Sequence, residues 1–127
     1  MTTKELLEKV RNQQSYRNRN AYNRHRWYGE NTPRIGGVSA VPEFFALGKL
    51  SAVDLYVCID GINFNYRIVS RIDHERTVTL CHSNCKSLND SEKTICTYPS
   101  VSGAIDGVIA NAVMEKNENT KNKRYVL

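Results

Sequence analysis

The stretch Val53-Asp54-Leu55-Tyr56-Val57-Cys58-Ile59-Asp60-Gly61-Ile62-Asn63-Phe64-Asn65-Tyr66-Arg67-Ile68 decides the fold class. Val53, Leu55, Val57 and Ile59 alternate with Asp54, Tyr56, Cys58 and Asp60, the period-two pattern of a half-buried strand. Asp60-Gly61 tolerates the positive φ angles of a tight hairpin, and the alternation resumes with Ile62, Phe64, Tyr66, Ile68 and Ile72 on one face. Asn63, Asn65, Arg67, Val69 and Arg71 share the other face. A second turn at Asp73-His74-Glu75 leads to Thr77-Val78-Thr79-Leu80-Cys81-His82, with Val78 and Leu80 toward the core.

Downstream, the polar run from Ser83 through Asn84, Cys85 and Lys86 to Glu92 reads as a loop, and Lys93-Thr94-Ile95-Cys96-Thr97-Tyr98 as a further strand stopped by Pro99. Ser100 or Ser102 can cap a final helix in which Val101, Ile105, Val108, Ile109, Ala112 and Val113 recur at three- and four-residue spacing. Gly103 and Gly107 lie one turn apart inside it. Each costs up to about 1 kcal/mol relative to alanine, which predicts a close approach to the sheet, with a tight crossing in an oligomer as the alternative. Residues 117–127 read as a charged tail ending in Arg124-Tyr125-Val126-Leu127.

Upstream, Pro42, Glu43 and the Phe44-Phe45 pair predict a short helix ending near Gly48. Asn31-Thr32-Pro33 and Gly36-Gly37 mark a boundary between an N-terminal arm and the body. Thr2-Thr3-Lys4-Glu5 has the form of a capping box, and Leu6, Leu7 and Val10 give the helix it starts a short apolar stripe. From Asn12 to Asn20 only Tyr16 is left to bury, so the helix needs packing against the body or a partner. The expectation is an α+β protein: an arm over residues 1–36, basic and partly helical; a domain over 37–116 with a small three- or four-stranded antiparallel sheet packed against a C-terminal helix; and a tail over 117–127.

The 127-residue length suits one folded domain. No run approaches the roughly 18 to 20 apolar residues of a membrane span, and charges interrupt residues 1–17 where a secretory signal would be apolar, so a cytoplasmic protein is expected. Cys58, Cys81, Cys85 and Cys96 are then free thiols. Net charge is +5, and through Gly36 eight bases stand against three acids, while the remainder carries ten of each. The positive charge therefore belongs to the arm, which points to an anionic partner.

Arg17, Arg19, Tyr22, Arg24, Arg26, Trp27 and Tyr28 interleave guanidinium groups with aromatic rings. The former pair with phosphates and the latter stack on unpaired bases, so nucleic acid, DNA or RNA, is the partner this pattern suits. Arginine and aromatics are also enriched in protein interfaces, and an arm clasping a protein partner or a second copy reads much the same. Arg67 and Arg71, with Asn63 and Asn65, give the polar sheet face a second set of candidate contacts. A strand-rich body followed by one packing helix is similar in arrangement to sheet-type DNA-binding domains. The order of short helix, three strands and helix resembles double-stranded-RNA-binding domains, although the helix start reads Ser100-Val101-Ser102-Gly103-Ala104 where that resemblance implies lysines.

Catalytic and metal chemistry find less support. Cys81, His82, Cys85 and Cys96 could supply thiolate and imidazole ligands, but the Cys-x3-Cys pair lacks a matched partner pair, and neighbouring strand residues 81 and 82 point to opposite faces. Asp73-His74-Glu75 reads as a solvated turn, and no phosphate-binding glycine loop or nucleophile elbow is present. Neither enzyme activity nor a metal or other cofactor is expected. The leading expectation is a non-enzymatic nucleic-acid-binding accessory protein; the alternative is an interaction or assembly component, such as a phage-type structural protein or inhibitor, whose arm and tail clasp another chain.

Overall fold

The computed structural model describes residues 1–28, 32–41, 50–71, 77–83 and 94–125, with side chains through 20 in the first helix and 118 in the last. The elements are α1 (Thr3–Tyr28), β1 (Arg34–Ala40), β2 (Leu50–Ile59), β3 (Ile62–Arg71), β4 (Val78–His82), β5 (Thr94–Tyr98) and α2 (Val101–Tyr125). The strands form one antiparallel sheet in the order β1-β2-β3-β4-β5, each paired with its neighbour in sequence. The α+β class is as expected, but the sheet has five strands rather than three or four. The expected Phe44-Phe45 helix, the Asp73-His74-Glu75 turn and the loop after Ser83 fall on or reach into residues outside those described.

The hairpin at the centre follows its sequence pattern closely. Leu50 to Ile59 pair without a break against Arg71 to Ile62, and Asp60 and Gly61 have φ of 55° and 78°. Two consecutive positive φ values are those of the turn whose twist matches the flanking strands. Val53, Leu55, Val57, Ile59, Phe64, Tyr66 and Ile68 are buried on one face, where they meet Val78 and Leu80 of β4. Ile62, assigned to that face by its parity, is 45% exposed because it sits at the turn end of the strand.

The fifth strand is the one the sequence disguises. Arg34 to Ala40 contains two glycines and a register shift between Gly36 and Ser39, yet it pairs with β2, and the pairing is prolonged by Val41 N–H donating to Ala52 O at 2.9 Å. The ring of Tyr56 lies on the glycine pair: a Cβ at Gly36 would stand 2.5 Å from Tyr56 Cζ, and one at Gly37, whose φ is 60°, would meet Cε1 of the same ring. Only glycine leaves that room, so the residues that read as a domain boundary are the seat of a cross-strand aromatic.

Both helices cover the same face of the sheet, α1 over β1 and β2, α2 over β2 to β5. Thr2 caps α1, its Oγ1 accepting from Glu5 N–H at 3.2 Å and donating to Glu5 Oε1 at 3.1 Å. Leu6 and Val10 are fully buried in the main core with Val101, Ala104, Ile105, Val108 and Ala112 of α2. At about 1.5 to 3 kcal/mol for each such aliphatic side chain, this contact seats the first half of α1 on the sheet. The stretch expected as a partly helical arm is therefore a 26-residue helix packed on the body. Ser100 caps α2 through Gly103 N–H at 3.0 Å. The helix runs to Tyr125, well past Lys116 where the apolar periodicity ends; in that polar stretch Glu118, Lys121, Lys123 and Arg124 favour helix while three asparagines and Thr120 do not.

Gly103 and Gly107 face Tyr98 of β5. A Cβ at Gly107 would overlap the Tyr98 phenol, and one at Gly103 would stand 3.6 Å from Tyr98 Cβ. The predicted close approach of helix to sheet is thus made at Gly107, under the Tyr98 ring; at Gly103 the nearest atom would be Ser100 Oγ at 3.3 Å, and Tyr98 would be in ordinary contact.

Candidate nucleic-acid interface

The inner face of α1 changes chemistry along its length. After Leu6 and Val10 come Gln14, Arg17 and Asn18, all half-buried. Asn18 Nδ2 donates to Ile35 O at 2.7 Å while Ile35 N–H donates to Asn18 Oδ1 at 2.8 Å, and Gln14 Nε2 donates to the same carbonyl at 3.2 Å. These amides occupy the free edge of β1 as another strand would. Arg17 pairs with Asp106 of α2 and donates through Nη2 to Ser102 O and Oγ, both at 3.3 Å.

The opposite face of α1 is open. Arg11, Ser15 and Arg19 form one exposed ridge at four-residue spacing, and Asn12, Tyr16 and Asn20 form the next. Tyr16 is 64% exposed, more than any other large apolar side chain among the described residues. The backbone continues as helix through Tyr22, Arg24, Arg26, Trp27 and Tyr28, whose side chains lie outside those described.

The candidate residues thus divide. Arg19 is exposed and available; Arg17 is engaged with α2. Arg67 is 12% exposed and held by Asp54, with Nε to Oδ1 at 2.7 Å and Nη2 to Oδ2 at 3.1 Å, a two-pronged pair that neutralises its charge on the outer sheet face. Arg71 is exposed at the end of β3, its carbonyl accepting from the Met1 nitrogen at 2.9 Å. Arg11 and Tyr16 join Arg19 at the surface; of these only Arg11 lies outside the cluster of Arg and aromatics that the sequence displays from Gln13 to Arg34. Helical spacing carries that signal: Arg17 is eleven residues from Leu6, three turns on and nearly the same direction, whereas Arg11, Ser15 and Arg19 keep clear of that stripe.

The outer sheet face is itself divided. Leu50, Ala52, Val69 and Cys81 are buried together at one end, and Asn63 and Asn65 are exposed toward the other. Cys81 belongs to that outer cluster while His82, its neighbour, stacks on Tyr66 at 6.1 Å between ring centres on the inner face. Among the described residues no group of three or more His, Cys, Asp and Glu side chains could hold a metal ion. Tyr66 is fully buried, and its Oη has no hydrogen-bond partner; burial foremost, and the nearby Glu115 carboxylate after it, push its phenol up from the ordinary range. Tyr98 shifts the same way, chiefly through burial and then through Cys96 and Asp106.

The chain matches no protein-family model, and neither a curated protein nor a solved structure matches it. No helix among the described residues is long and apolar enough to cross a membrane.

Proposed function

We propose that this chain is a non-enzymatic nucleic-acid-binding protein whose primary contact surface is the outward face of α1. The observation that carries the reading is the exposed pair of ridges in which Tyr16 stands beside Arg11 and Arg19, on a helix whose inner face is fixed to the sheet and to α2. Arginines there meet phosphates, and an exposed tyrosine offers a face to a base or sugar. Tyr22, Arg24, Arg26, Trp27 and Tyr28 follow in the same helix. Fixing the arginines on a packed helix lowers the ordering cost a loose arm would incur.

Fluorescence anisotropy with labelled single- and double-stranded DNA and RNA at several salt concentrations tests the reading. Binding should weaken with salt, and Arg11→Ala or Arg19→Ala should each flatten the log–log salt slope by about 0.7 to 0.9 for a lost phosphate contact. Arg17→Ala should leave the slope nearly unchanged, since Arg17 is already paired. Failure of every nucleic acid to bind would reject the reading.

One observation favours contact with a protein instead: Val113 and Met114 are 37% and 58% exposed on α2, beside exposed Ala110. Under that reading Met114→Ser and Tyr16→Ala should weaken capture of the partner more than removal of Arg11 or Arg19 does.

A further inference from the structure

Beyond the α1 surface, the open half of the outer sheet face carries a second feature suited to nucleic acid. Tyr56 of β2 is half-buried, one side of its ring resting on Gly36 and Gly37, where any side chain would collide with it. The same ring lines an open depression of about 310 Å³ together with Gly37, Asp54, Asn65 and Ser83. Asn65 stands directly across the β2–β3 ladder from Tyr56 and is exposed. The next rung is Asp54 opposite Arg67, whose mutual hydrogen bonds fix both side chains and leave the rung without net charge. Arg34 is exposed on β1 across from Cys58, one outer-face position from Tyr56 on the side away from Asp54, so it flanks the ring without lining the depression.

A fixed aromatic face, an amide offering both a donor and acceptors, and a cation on the far side of the ring match an unpaired nucleobase with its attached phosphate. We infer that this depression is a base-binding site for single-stranded nucleic acid, in which a base stacks on Tyr56, the Asn65 amide reads its hydrogen-bonding edge, and Arg34 meets the adjoining phosphate. The site rests on the nucleic-acid reading above and deepens it, because a base can reach Tyr56 only when it is free of a duplex. The glycine pair has a role here beyond packing: it sets the ring down along the strand, where its outward side stays open to the depression.

The test measures anisotropy of labelled homopolymeric single strands of each base, and of a mixed-sequence duplex, on the full chain. Tyr56→Leu should weaken single-strand binding roughly 5- to 150-fold, the range for losing one stacked base, without altering duplex binding. Tyr56→Phe should retain the affinity, and Asn65→Ala should change the ranking of the homopolymers. Amide chemical shifts of Gly36 and Gly37 in the unmutated protein should move on titration with a single strand, which keeps the test valid if Tyr56→Leu does not fold. Single-strand binding that depends on Arg11 and Arg19 but leaves those amides still and ignores Asn65→Ala would overturn the base site while sparing the α1 surface. Absence of all nucleic-acid binding would overturn both.

Discussion

Asn18 of α1 and Ile35 of β1 exchange two hydrogen bonds, side-chain amide against backbone amide, at 2.7 and 2.8 Å. A sheet edge presents unpaired N–H and C=O groups that invite association, and here a helix closes one of them with polar side chains. Asn18→Ala leaves Ile35 N–H without this acceptor, while Ile35 O keeps Gln14. The expected loss is about 1 to 3 kcal/mol, read as a lower urea midpoint at unchanged slope. Self-association should also rise, visible as concentration-dependent sedimentation.

Gly107 and Tyr98 should show a reversal of sign. Alanine in a helix is favoured over glycine by about 1 kcal/mol, but at position 107 its methyl would collide with the Tyr98 phenol, and overpacking costs about 1 to 3 kcal/mol. Gly107→Ala alone should therefore destabilise the protein. In a Tyr98→Ala background the same change should stabilise it, and a double-mutant cycle by urea denaturation measures the difference. Additive effects would mean that the ring does not set the glycine.

The buried phenol of Tyr66 predicts an alkaline limb. Its folded pKa lies above the ordinary value of 10.0, so the unfolded chain releases this proton first as pH rises. The unfolded state then binds fewer protons than the native one, and stability falls above about pH 10 by up to roughly 1.4 kcal/mol per pH unit for each such group. Tyr66→Phe should reduce that slope, leaving the smaller contribution from Tyr98. At neutral pH it should be near neutral or stabilising, because it removes a buried hydroxyl with no partner. Thermal midpoints measured at neutral and alkaline pH check both statements.

Asp54 and Arg67 should be strongly coupled. Asp54→Ala removes the two-pronged partner of a side chain that is only 12% exposed, whereas Asp54 itself is one-third exposed and partly screened. A loss of about 1 to 3 kcal/mol is expected, and Arg67→Met combined with Asp54→Ala should cost less than the sum of the single changes. The cycle is again measured by urea denaturation.

The legible parts of the chain were those whose partner is an apolar surface. Alternating Val53, Leu55, Val57 and Ile59, the Asp60-Gly61 turn and the Ile105 to Ala112 stripe all announce a buried face by periodicity. The second half of α1 did not, because Gln14, Arg17 and Asn18 meet a strand edge and the flank of another helix, where hydrogen bonds rather than apolar area make the contact. For the same reason those residues looked free for an external ligand. Strand β1 was hidden by Gly36-Gly37, a pair whose meaning depends on a ring from a different strand. Residues 117–125 lacked any apolar signal for the helix they continue.

The sheet is a simple meander in which every ladder joins neighbours in sequence, but Met1 contacts Arg71, and Arg17 reaches Ser102 and Asp106. During synthesis Met1 thus finds its partner only once β3 is made, and Arg17 only once α2 begins. The ladders can zip up in the order they are made, while α1 waits until the start of α2 has left the ribosome before its arginine can dock. The apolar first turns of α1 can settle on β1 and β2 as soon as those strands form, so the helix is held in two stages, first by the sheet and then by the start of α2.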